Sequence, residues 1–205
     1  MRKRKAVIIL VLLIVTLFST KVVQNAVLFR AVSSNNITLA NQMISLGANV
    51  NAERFPSVLG NLFETNDTPL TMACRNGDYE MTYYLISVGA DVNLCESWGG
   101  ATPITAALLF DKASRFQIAS FLIAHGADIT EYSTNTLPCF TPLWKTITIF
   151  ETDPPETVEQ GYELFLYCIE YLNEVLTTED IQALQSYAVS QRNQPVISYL
   201  ESRFE

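Results

Sequence analysis

Residues 68–93, TPLTMACRNGDYEMTYYLISVGADVN, carry the signals of two short antiparallel helices and a following loop. Pro69 suits the first turn of a helix, where its missing N–H has no partner to lose, and apolar residues follow it at helical spacing. Turn residues at 76–78 (NGD) end that helix, and a second apolar face begins at Met81. Gly89 lies where a left-handed C-cap is expected. The stretch therefore predicts a helix, a turn, a second helix and an extended loop.

The hairpin recurs along the chain, as it must if its apolar face is to be buried against a neighbour. The second and third copies of the unit start 34 residues apart, from Pro69 to Pro103. The opening recurs as TPL, TPI and TPL at 68–70, 102–104 and 141–143, and the ending recurs as GANVN, GADVN and GADIT at 47–51, 89–93 and 126–130. This pattern resembles the ankyrin repeat, whose period is about 33 residues and whose opening is T-P-L-H-x-A.

The resemblance to ankyrin repeats extends over roughly residues 27 to 205 and implies an all-α solenoid. One departure is consistent along the chain, because the histidine of the family's opening is replaced in every unit, by Phe29, Thr71, Thr105 and Trp144. The departure affects the hydrogen bonds which that histidine normally supplies to neighbouring turns. About four repeats and a C-terminal capping helix pair are expected within a domain at 26–205, namely at 27–51, 68–93, 102–130, 141–173 and 178–205.

The last two units carry further local signals. In the fourth repeat, Asp153-Pro154-Pro155 is expected to prevent a continuous helix, because proline lacks the N–H that a helix interior needs. The second helix of that repeat is then expected to resume near Phe165 and to end at Asn173. The capping pair is predicted to bury Ala188, Val189, Val196, Ile197 and Leu200, with Pro195 starting the final helix.

The first 25 residues differ in composition from the repeats. RKRK at 2–5 precedes an uncharged run at 6–20, which is the layout of a secretory signal or an N-terminal membrane anchor. As a helix this run spans about 22 Å against a bilayer core of about 30 Å, and apolar residues at 22–23 with a snorkelling Lys21 extend it. No A-x-A cleavage motif follows, so an uncleaved anchor is favoured over a cleaved signal peptide.

The basic end of such an anchor is expected to stay cytoplasmic. The prediction is therefore a single-pass membrane protein with a cytoplasmic N-terminus and its repeats on the far side, with export after cleavage as the alternative. No strong turn signal lies between Lys21 and Val27, so the hydrophobic helix at 1–25 is expected to run directly into the first repeat. It then covers the exposed end of that repeat as a cap.

The charge balance and the residue inventory disfavour several classes of function. The chain has 13 basic and 21 acidic residues, and without RKRK at 2–5 and Lys21 the balance is 8 to 21, or −13. Nucleic acid is therefore not an expected partner, since its phosphates require a basic face. No phosphate-binding or H-E-x-x-H motif is present, and the lone His125 is interpreted as a structural helix-end residue. No catalysis, cofactor, metal or small-molecule substrate is predicted.

The four cysteines divide into two pairs by position. Cys74 and Cys168 fall on buried helical positions and are interpreted as core residues. Cys95 and Cys139 lie in loops after successive repeats, and such loops are neighbours in a stack. A disulfide between Cys95 and Cys139 is one alternative in an exported protein. None of the four has C-x-x-C spacing, so a zinc site is not predicted.

The resemblance implies binding of a protein partner through loop tips and the concave face of the first helices. An inhibitor or immunity-type protein is an alternative function, because no basic residue lies between Lys145 and Arg192 and an acidic face there would suit a basic partner. An enzyme is disfavoured. The predicted function is thus a membrane-tethered protein–protein interaction module without catalytic activity. Its candidate partner-binding residues are Arg75, Tyr79, Glu96, Trp98, Leu109 and Phe110.

Overall fold

The computed structural model describes residues 20–53, 67–95, 101–109, 113–130, 141–148, 153–174 and 176–204. Within these ranges the chain forms ten helices joined by turns and loops, and it contains no β-strand. The helices are α1 (20–33), α2 (Ile37–Ser45), α3 (Pro69–Asn76), α4 (Tyr79–Ser87), α5 (Pro103–Leu108), α6 (Arg115–Ala124), α7 (Thr141–Ile147), α8 (Pro155–Tyr171), α9 (Thr178–Ser190) and α10 (Gln194–Phe204).

From α3 onward the helices stand in two rows. Each first helix contacts its own second helix, in the pairs α3–α4, α5–α6, α7–α8 and α9–α10. The first helices α3, α5, α7 and α9 contact one another in order, and the second helices α4, α6, α8 and α10 do the same. The core lies between the rows, and Ala73, Leu85, Ile104 and Leu122 within it are at most 1% exposed. The described helices agree with the predicted all-α solenoid.

Threonine side chains start the first helices of the second and third repeats. The Thr71 N–H donates to Oγ1 of Thr68 at 3.1 Å, and the Thr105 N–H donates to Oγ1 of Thr102 at 3.4 Å. The following proline occupies the first helical turn in both cases. The hydroxyls of Thr68 and Thr71 also lie 2.7 Å apart, and those of Thr102 and Thr105 lie 3.0 Å apart. A threonine in place of the family's histidine therefore pairs with the cap of its own helix.

Gly89 and Gly126 end the second helices of two successive repeats. Their φ angles of +93° and +89° lie in the left-handed region, as the sequence predicted. Gly89→Val is expected to destabilise the protein by more than about 1 kcal/mol, because a β-branched residue resists this conformation. No neighbouring atom lies within 4 Å of a Cβ built at either glycine, so the Cβ itself meets no clash and the expected cost lies in the backbone conformation.

Urea denaturation measures that cost, and Gly89→Asn is the matched control because asparagine tolerates the left-handed conformation better than valine. Gly126→Val is expected to behave like Gly89→Val. An unchanged midpoint for both valine variants contradicts the assigned ends of the repeats.

Two expectations for the last units are wrong. The second helix of the fourth repeat begins at Pro155 and not near Phe165, since α8 runs from Pro155 to Tyr171 with Pro154 as its N-cap residue. Proline is tolerated in the first turn because that N–H would be unpaired there in any case. In the capping pair, Val189 is 60% exposed, whereas Ala188, Val196 and Leu200 are fully buried. Val189 follows Ala188 by one position and therefore faces away from the core.

Helix α1 joins the first repeat without a break. Residues 20–33 are continuously helical, so no turn separates Lys21 from Val27. Among the described residues, no helix combines the length and the hydropathy required to cross a lipid bilayer. The basic cluster and most of the uncharged run, at 1–19, lie outside the described residues.

Candidate protein-interaction surfaces

Asparagine side chains connect the loop of one repeat to the loop of the next. The Asn51 side chain accepts from the Asp91 N–H at 2.9 Å and donates through Nδ2 to the Gly89 carbonyl at 3.4 Å. Asn93 repeats both bonds with the loop at 126–128, at 2.8 and 2.9 Å. The loops are therefore held in register, and any residues that they present to a partner keep a fixed spacing.

The start of α1 makes the same kind of bonds with the first loop. Oδ1 of Asn25 accepts from the Asn49 N–H at 2.9 Å, as the later asparagines do from the loops that follow them. Nζ of Lys21 donates to the carbonyl of Gly47, and Nε2 of Gln24 donates to the carbonyl of Leu46 at 2.9 Å. Polar side chains of α1 thus occupy the place that a preceding repeat would fill.

The candidate residues that the structure describes lie at the turn end of the stack, where the first helix of each repeat is joined to the second. Arg75 is at the end of α3 and pairs with Asp67, with 2.6 Å between Nη2 and Oδ1. Tyr79 begins α4 after the turn, and its half-buried ring lies 5.4 Å from that of Phe121. Leu109 directly follows α5 and is half-buried. The structure brings these three to one end of the repeats, away from the asparagine-linked loops, while the other candidates, Glu96, Trp98 and Phe110, lie outside the described residues.

A buried ion pair joins the third repeat to the fourth. Nη1 and Nη2 of Arg115, the first residue of α6, donate to the two carboxylate oxygens of Asp153 at 2.7 and 2.5 Å. The two side chains are 1% and 2% exposed. The arginine lies against the Phe116 ring, 4.4 Å from its centroid. Asp153 therefore does not belong to an exposed acidic face, although the sequence places it in the acidic run.

The geometry is that of stacked helical hairpins with linked loops, and a family model described as "Ankyrin repeats (3 copies)" matches residues 28–133. The chain belongs to the ankyrin-repeat family. It is also similar to the 2-5A-dependent ribonuclease of Mus musculus, with 38% identity over 63 residues. That match covers 31% of this chain and 8% of the ribonuclease, so the chain spans less than a tenth of that relative. Ankyrin repeats indicate a protein–protein interaction module.

His125 of this ankyrin-repeat protein lies at the end of α6, as the sequence predicted. Its Nδ1 is 2.8 Å from the carbonyl oxygen of Phe121, and the two rings are 4.2 Å apart. The ring therefore contacts the last turn of its own helix. Within the part of the chain that the structure describes, no three His, Cys, Asp or Glu side chains are grouped so as to hold a metal ion.

Cys74 and Cys168 of the ankyrin-repeat core are both buried, as predicted. Burial raises the pKa of each thiol from 9.0 to about 12. Cys139 lies outside the described residues, so a disulfide between Cys95 and Cys139 stays one alternative.

We expect Cys74 and Cys168 to resist iodoacetamide in the native protein at about pH 8, because the reactive form is the thiolate. Both are expected to react fully in urea, which peptide mass spectrometry resolves site by site. Because the raised pKa disfavours the thiolate in the folded protein, these thiols leave the free energy of unfolding unchanged well below pH 9.0 and lower it as the pH rises from 9.0 to about 12. Native labelling of either cysteine at the unfolded rate contradicts its buried position.

Proposed function

We propose that this ankyrin-repeat protein is a membrane-tethered module that binds a protein partner and carries out no catalysis of its own. The observation that supports tethering is the junction at α1, where Gln24 and Asn25 bond directly to the first loop. A segment attached to α1 is therefore joined firmly to the repeats. The residues at 2–20, with a basic start and an uncharged run, have the composition of an anchor.

In this proposal residues 1–25 form the anchor and 26–205 form the repeat domain. The N-terminus lies in the cytoplasm and the repeats lie on the far side of the membrane. N-terminal sequencing of the mature protein and carbonate extraction test it together. An intact N-terminus and retention in the membrane pellet are expected. A mature chain that starts after Ser19 and is released without detergent contradicts tethering and supports export.

Removal of residues 1–24 is expected to destabilise the first repeat selectively, because Lys21 and Gln24 no longer bond to its loop. Hydrogen exchange is expected to accelerate in residues 28–52 and to stay unchanged from α5 onward. In the full chain, Asn25→Ala removes the acceptor of the Asn49 N–H and is expected to cost about 1 kcal/mol.

Gln42→Ala is the control for that measurement, since Gln42 is an exposed residue of the same repeat. Equal exchange rates in the truncated and intact chains show that α1 does not cap the stack.

The proposed contact surface consists of the linked loops together with the turn end of the repeats. Affinity capture from solubilised membranes tests it by comparing the wild type with Trp98→Ala. Val189→Ala is a matched control, because Val189 is a 60% exposed apolar residue outside the proposed surface. The partner is expected to be lost only with Trp98→Ala, since large aromatic residues contribute strongly to interfaces. Recovery of the same partner with both variants removes Trp98 from the surface. The residues proposed for contact are Arg75, Tyr79, Glu96, Trp98, Leu109 and Phe110.

An inhibitor or immunity-type protein is the second candidate, and the carboxylates of α8 favour it. Glu156, Glu159, Glu163 and Glu170 are exposed, and no ion pair joins them to a basic residue within the described ranges. Reversal of Glu156, Glu159 and Glu163 to lysine is expected to slow association at low salt and to leave the fold intact. Capture of a single tightly bound basic protein supports this candidate over a general scaffold.

A further inference from the structure

The row of second helices contains a groove between α6 and α8. Its volume is about 410 Å³. The α6 wall is uncharged, and the α8 wall carries a carboxylate at Glu163. The apolar floor includes Phe116, Ile123 and Leu164, and the remaining lining residues are Gln117, Ser120, Ala124, Gln160 and Tyr167.

Glu163 lines the α8 wall of this groove, and two further acidic residues continue along the same side of α8 beyond the lining residues. Glu156, Glu163 and Glu170 are spaced seven residues apart, so they lie on one side of the helix two turns from each other. All three are exposed. Over the 14 residues from Glu156 to Glu170 the stripe is about 21 Å long. A ligand that lies over the groove parallel to α8 therefore meets negative charge on the α8 side, whereas the lining residues of α6 are uncharged.

Two tyrosines add aromatic surface at the far end of the groove. Tyr167 lines the groove, and Tyr171 is one turn further along α8. The side chains are 50% and 60% exposed, and their rings stack with centroids 6.4 Å apart. Exposed tyrosines that hold each other in place lose little freedom on binding, and tyrosine is enriched at protein interfaces.

We propose that this groove binds an amphipathic helix of a partner protein, with leucine-like side chains on the floor and lysine or arginine along the α8 edge. The proposal rests on the proposed function as a protein-binding module and places a contact outside the loops and the first helices. A partner helix that lies parallel to α8 places its basic side chains along the carboxylate stripe. Its apolar side chains at i, i+3, i+4 and i+7 then face the groove, as in other complexes of an amphipathic helix with a groove. Charge complementarity selects a basic partner over an acidic one.

The test uses the full chain and a fluorescent amidated peptide of about 16 residues, long enough to follow the stripe as a helix. The peptide has leucines at helical spacing and lysines between them. A scrambled peptide of the same composition and a leucine/glutamate peptide are the ligand controls. Fluorescence anisotropy is expected to show binding of the amphipathic lysine peptide alone, and that binding is expected to weaken as salt rises.

Two protein variants separate the groove from the overall negative charge. Replacement of Glu156, Glu163 and Glu170 by glutamine is expected to weaken binding about tenfold at low salt. The matched control replaces Glu80, Glu179 and Glu201 by glutamine. These residues are exposed on other helices, and the control has the same net charge as the groove variant. It is expected to change the affinity by less than about twofold.

A third variant fills the groove without changing charge. Ala124 is an exposed lining residue, so Ala124→Trp occupies the groove and leaves the core intact. Loss of at least about tenfold in affinity is expected, whereas Ser186→Trp on α9 is expected to bind like the wild type. Equal effects of the two glutamine variants, full binding by Ala124→Trp or tight binding of the scrambled peptide each overturn the proposal.

Failure of the groove and failure of the proposed function give different results. A membrane partner that is lost with Trp98→Ala but retained with Ala124→Trp overturns the groove and leaves the interaction module in place. A wild-type protein that captures no partner contradicts the proposed function, and the peptide measurements still decide whether the groove binds a basic helix.

Discussion

Arg115→Ala is expected to lower the free energy of unfolding by about 3–5 kcal/mol, because it leaves a carboxylate buried without its guanidinium partner. Both side chains of the pair are almost completely buried, and two hydrogen bonds join them. The loss is expected in the third and fourth repeats, since Arg115 begins α6 and Asp153 lies just before α8.

The control is the double variant Arg115→Met with Asp153→Leu, which removes both charges and keeps apolar volume at the site. It is expected to be much more stable than Arg115→Ala, because the desolvation of the ions is removed together with their attraction. Urea denaturation followed by circular dichroism measures both. An Arg115→Ala variant that is as stable as the wild type contradicts the buried ion pair.

The helix starts and ends were predictable because their signals are local. Thr68 and Pro69 together specify a cap and a first turn, and the φ of Gly89 follows from the need for a left-handed residue after α4. The repeat then multiplies these signals, so each copy supports the register of the others. The diproline sequence indicates an interruption but not the start of α8, because proline is equally suited to open a helix.

The interaction surfaces were less predictable because they depend on residues brought together by stacking. Arg115 and Asp153 are 38 residues apart, and the charge run around Asp153 indicates an exposed face when it is considered alone. The proposed capping by the N-terminal helix rests in the sequence on the missing turn signal, but the bond of Asn25 to the first loop depends on the register of α1 against that loop. Phe116 and Gly161 meet only because α6 and α8 are neighbours in the row of second helices.

Gly161→Leu is expected to destabilise the protein by about 3 kcal/mol, because the helices approach closely at this buried glycine. A Cβ at Gly161 would lie 2.8 Å from two ring carbons of Phe116 and 3.3 Å from the Thr146 carbonyl oxygen. The Phe116 ring is only 2% exposed and lies against the guanidinium of Arg115, so moving the ring away from Gly161 disturbs its contact with the buried ion pair.

Gly161→Ala decides which of two opposing effects is larger. Alanine is favoured over glycine inside a helix by about 1 kcal/mol, whereas forcing an extra methyl into a packed contact costs about 1–3 kcal/mol. Because a shift of Phe116 disturbs its contact with Arg115, we expect the steric effect to be larger and the alanine variant to be less stable than the wild type. Thermal denaturation measures the sign directly, and Phe116→Leu combined with Gly161→Ala is expected to recover part of the loss. A raised midpoint for Gly161→Ala alone shows instead that the ring yields, and the spacing of α6 and α8 is then not set by this contact.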